Sequence, residues 1–115
     1  MQTPYEQAAA LYPDNEDFQA DLLPHLVSGY VISSPTLFAM FRPVDSTAAP
    51  EILANPWCTF AKPDAWFIWM VAGDVNEIYK RMPYPLPLLG ASRFGQPVRF
   101  YPLKRAQEIA CILCG

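Results

Sequence analysis

The uninterrupted apolar run Ala65-Trp66-Phe67-Ile68-Trp69-Met70-Val71-Ala72, closed by Gly73, constrains this chain more than any other feature. It is far shorter than the ~18 residues that a membrane span needs. Apolar side chains occupy both parities of the run, so it is expected to form an interior strand covered on both faces. A strand of that kind needs partners on each side and layers above and below. With 115 residues, the chain suits one domain, since domains commonly run about 100–150 residues. Hydrophobic residues at 52% against 17% charged exclude a disordered chain.

Around that strand the sequence alternates helical and strand signals. Thr3, Pro4 and Glu6 have the spacing of a capping box with proline at the first helical position. A helix should run from there through Ala10 and stop near Pro13. A second helix starts at Asp14 or Asn15 with Phe18, Leu22 and Leu23 as its stripe, and Pro24 is expected to end it. Tyr30 to Ser33 and Leu37 to Val44 read as a hairpin about Ser33-Ser34-Pro35-Thr36. Pro43, near the end of the second of these strands, is tolerable on an edge. Asp74 and Glu77 open a helix that ends at Pro83. Leu88 to Phe94 and Val98 to Tyr101 form another hairpin. A last helix follows Pro102, with Leu103, Ala106, Ile109, Ala110 and Leu113 on one face. The expectation is an α+β fold in a single domain, 1–115. It has a mainly antiparallel sheet of about five strands, two hairpins plus the central apolar strand, packed with three to four helices.

Thirteen prolines make much of the remainder rigid connection. The segment 45–64 has no clear period beyond one helical turn at Pro50 to Ala54. A connection of that length inside a small domain is often functional. It is read as an interface, a cover for the sheet, or one wall of a pocket.

The start of the chain has no basic region followed by an apolar core, so no signal peptide is expected. Three cysteines, an odd number, fit reduced thiols and a cytoplasmic setting. Cys111 and Cys114 have C-x-x-C spacing, and Cys58 with His25 would complete four zinc ligands. The pair lies on a predicted helix without paired knuckles, so plain packing is the expectation and no metal or cofactor is assigned. His25 alone could act as a base, yet it stands beside Pro24 at a helix exit with no nucleophile nearby in sequence. No glycine-rich phosphate loop, H-E-x-x-H or calcium-loop pattern occurs. No catalytic residue is assigned.

Charge is distributed unevenly under a net −3. Residues 1–64 hold eight acids against two bases, and residues 65–115 hold six bases against three acids. The halves can attract within one chain, between copies head to tail, or toward an anionic partner. Arg93, Arg99, Lys104 and Arg105 interleave with Phe94, Phe100 and Tyr101, a composition that suits single-stranded nucleic acid. The acidic pI near 4.9 weighs against it. Sixteen aromatic residues are many for an interior of this size. Trp57, Trp66, Phe67, Trp69 and Tyr84 are therefore the candidate partner-binding rings. The leading expectation is a small soluble, non-enzymatic interaction or assembly protein of the phage or prophage accessory type, self-associating or bound to a protein partner and not to a membrane. The alternatives are a nucleic-acid module using the basic hairpin and a small enzyme with a pocket between residues 45–64 and the sheet.

Overall fold

A computed structural model describes residues 2–48, 51, 54–91 and 99–102. Helix α1 spans Pro4–Ala10, capped by Thr3, whose hydroxyl oxygen accepts from the Glu6 N–H. Helix α2 spans Asn15–Ser28, capped by Asp14, whose carboxylate accepts from the Asp17 N–H at 2.8 Å. The strands are β1 (Tyr30–Ser33), β2 (Leu37–Val44), β3 (Ala65–Gly73), β4 (Leu88–Ala91) and β5 (Arg99–Pro102). They form one sheet in the order β1-β2-β3-β4-β5.

Three expectations are corrected. The sheet is mixed: β3 and β4 run parallel, while the other neighbours are antiparallel. Parallel neighbours require a crossover of a dozen or so residues, and the stiff stretch through Pro83, Pro85 and Pro87 supplies its second part. Its first part, Val75–Lys80, is a 3-10 helix and not an α-helix. There Asp74 caps the Asn76 N–H, while Glu77 accepts a hydrogen bond from the Thr36 hydroxyl at 2.9 Å instead of closing a capping box. Helix α2 also continues through Pro24. An interior proline costs about 3 kcal/mol, and burial of Phe18, Leu22 and Pro24 offsets that cost. The final helix and residues 92–98 lie outside the described residues.

Strand β2 is an inner strand, but β1 ends opposite Phe41, which leaves that flank of Pro43 without a neighbouring strand among the described residues, so the proline is tolerated as it would be on an edge. Strand β3 is the middle strand, buried at Ala65, Trp66 and Phe67 and half-buried from Ile68 to Ala72. Its pairing with β2 shifts by one residue: Met40 lies opposite Met70, but Phe41 lies opposite Ile68. Trp69 is the extra residue of this bulge, which lets Trp69 and Met70 face the same side.

Two layers result. One sheet face carries Leu37, Ala39, Phe41, Trp66 and Leu89 and is covered by Ile78 with Tyr79, Met82 and Leu86 from the crossover. The other carries Phe38 and Met40 beneath Ala8, Phe18 and Leu22 of α1 and α2. It continues into Val44, Ala65 and Phe67, with Phe60 and Phe100 against them. Gly90 is required here, because a Cβ would stand 2.4 Å from the Phe100 ring.

Candidate functional site

The lone histidine and the arginine of β2 lie together under α2, on the helix-covered face. His25 is fully buried; its Nδ1–H donates to the Asp21 carbonyl at 2.7 Å, which leaves Nε2 as the lone-pair nitrogen, without a partner. Burial holds its pKa below the ordinary 6.5, and the nearby Arg42 charge adds to that. The ring packs on Trp69 with centroids 5.4 Å apart. Asp21 carboxylate oxygen Oδ2 accepts from the Tyr12 hydroxyl at 2.8 Å and from Trp69 Nε1 at 2.9 Å. Burial, then this carboxylate, pushes the Tyr12 phenol up.

Arg42 is 1% exposed. Its Nη2 donates to the Ser28 hydroxyl at 3.0 Å, and that hydroxyl donates to the Pro24 carbonyl at 3.0 Å. The guanidinium therefore sits at the C-terminal, negative end of α2. Nε and Nη1 have no partner, and among the described residues the ion pair is Arg81 with Glu77, not Arg42 with a carboxylate. The imidazole has no exposed surface, and through Asp21, Ser28 and Trp69 the cluster joins α2 to β2 and β3. Among the described residues, no group of three or more His, Cys, Asp or Glu side chains is placed to hold a metal. Cys58 is partly exposed, while Cys111 and Cys114 lie outside the described residues.

The candidate rings separate. Trp66 and Phe67 are 0% and 1% exposed on opposite faces of β3, and thus offer no surface to a partner. Trp69 is half-buried beneath α2. Trp57 and Tyr84 are exposed. Tyr84 packs on Trp66 with centroids 4.8 Å apart, and its carbonyl accepts from Trp66 Nε1 at 3.1 Å. Tyr30 stacks on Phe41 and meets the Trp66 edge, so Tyr30, Trp66 and Tyr84 form one partly open aromatic group near β1. Of the basic candidates, Arg99 is exposed on β5 opposite Ala91; Arg93, Lys104 and Arg105 lie outside the described residues.

A surface that sequence reasoning missed lies on α2. Leu23, Leu26 and Val27 are 53%, 59% and 67% exposed, and Tyr30 is also exposed. Leu23, Leu26 and Val27 follow i, i+3, i+4 spacing and form one stripe on α2, while Tyr30 begins β1 with its ring on the opposite sheet face. Phe18, Leu22 and His25 face inward. Asp21 lies on one flank of that inward line and reaches Trp69 of β3. Leu26 lies on the opposite flank, toward β1, while Leu23 and Val27 face outward beside it; β1 is an edge of the sheet among the described residues. Within Tyr30–Ser33 no backbone hydrogen bond to a described residue exists beyond the ladder to β2. No Asp, Glu, Lys or Arg occurs between Asp21 and Arg42, and this uncharged interval was the signal available in the sequence.

Comparison of the chain with protein-family models, with curated proteins and with solved structures found no match. No described helix is long and apolar enough to cross a membrane.

Proposed function

We propose that the protein is a small non-enzymatic association module whose working surface is formed by the exposed, uncharged residues of α2 and β1, chiefly Leu23, Leu26, Val27 and Tyr30. The observation that supports this is the exposed stripe Leu23, Leu26 and Val27 above an unpaired strand edge. Contiguous apolar surface of this kind marks association sites in soluble chains, and an open strand edge is a template for another chain. The exposed rings Tyr30 and Tyr84 extend the surface onto the other sheet face. Three cysteines, an odd number, suit reduced thiols and a cytoplasmic setting for such a module.

Sedimentation of the full chain at micromolar concentration tests the reading. A species heavier than 12.9 kDa is expected. A chain that remains monomeric up to submillimolar concentration refutes it.

A further inference from the structure

We infer that the occupant of this surface is a second copy of the chain, joined about a two-fold axis by antiparallel pairing of β1 with β1 and by contact between the two α2 stripes. The inference rests on the association reading above and names its partner and geometry.

Four features point to a copy and not to a foreign chain. A strand paired antiparallel with its own copy places outward N–H groups opposite outward carbonyls, so the edge is complementary to itself. A two-fold contact sets each patch against the same patch, so any charge near the axis would meet its like. The interval between Asp21 and Arg42 carries no formal charge, and the acids that begin α2, Asp14, Glu16 and Asp17, lie at the far end from Leu26 and Val27. The other sheet edge is unsuited to head-to-tail pairing: β5 carries exposed Arg99 and ends in Pro102, two devices that blunt an edge. Finally, α2 turns directly into β1 at Gly29, so the strand and the stripe lie side by side. Leu23, Leu26, Val27 and Tyr30 together expose on the order of 400 Å² per chain, about half of the ~800 Å² per partner in a standard interface. The paired strands supply further area.

The test is the mass and dissociation constant of the full chain, measured by analytical ultracentrifugation. Twice the chain mass is expected, with no further species at higher concentration. Leu26→Lys combined with Val27→Lys alters only exposed positions. It should raise the dissociation constant about tenfold or more while leaving the far-ultraviolet spectrum unchanged. Ser33→Lys, an exposed position on the edge strand, should act the same way. Leu11→Lys, equally exposed but at the C-cap of α1, next to Tyr12, which bonds Asp21, should leave the dimer intact. Raised salt should leave the dimer intact or strengthen it, because no ion pair holds it together. A heavier species indifferent to the α2 and Ser33 variants, or one that salt dissociates, overturns this inference and the surface assigned above, leaving only association itself in place. A monomer at all concentrations overturns both.

Discussion

Arg42 and His25 are the two residues that the interior accommodates least easily. Among the described residues each carries buried nitrogen without a hydrogen-bond partner, an acceptor in His25 and donors in Arg42, and a buried unsatisfied donor or acceptor costs about 1–3 kcal/mol. Arg42→Met should therefore raise stability by about 1–3 kcal/mol in urea unfolding, since the Ser28 hydroxyl keeps its bond to Pro24. A loss of stability would mean that the guanidinium is better compensated than its contacts indicate. For His25 the sign follows from its depressed pKa. Below pH 6.5 the unfolded chain takes up a proton that the folded chain refuses. Stability then falls as pH drops, until the lower folded value is passed. His25→Gln should remove that acid-side slope, which parallel urea titrations at neutral and mildly acidic pH would reveal.

Among the elements, those with local chemical signatures were legible and those set by distant contacts were not. Thr3 and Asp14 cap their helices as their spacing indicates, and the Ser34-Pro35-Thr36 turn joins the two strands read around it. The apolar parity of β3 implied cover on both faces, and the strand is indeed the middle one. The bulge at Trp69 was hidden for the same reason, because a run apolar at every position does not reveal a change of phase. The parallel β3–β4 pair was also hidden, because only the path of the proline-rich crossover decides it. Pro24 misled the reading most. Its local penalty is real, but burial on either side of it keeps the helix going, and the exposed stripe lies in the turns beyond it. Gly73 is a further element-scale determinant. It has φ +95°, and an added Cβ would stand 2.3 Å from the Thr36 carbonyl oxygen. Gly73→Ala should cost about 2–3 kcal/mol or more, because neither the backbone conformation nor the neighbouring carbonyl can adjust cheaply. Thermal unfolding would show this as a clear drop in midpoint.

At the scale of the whole molecule, the uneven charge of the sequence and the uncharged band of the surface call for opposite experiments. Attraction between acidic and basic halves weakens in salt, whereas apolar contact does not. The ring candidates divide by the same scale. Trp66 and Phe67 serve the chain's own interior, and only Tyr84 with Tyr30 lies near the edge that a partner would approach. If β1 pairs with its copy as inferred above, the difference between the two edges of the sheet gives the particle a valence of one. Among the described residues, Arg99 and Pro102 blunt the other edge, so assembly is expected to stop at two chains instead of continuing into a fibre. Light scattering should therefore rise with concentration to a plateau, and Arg99→Val with Pro102→Val should remove that ceiling and yield species of increasing length.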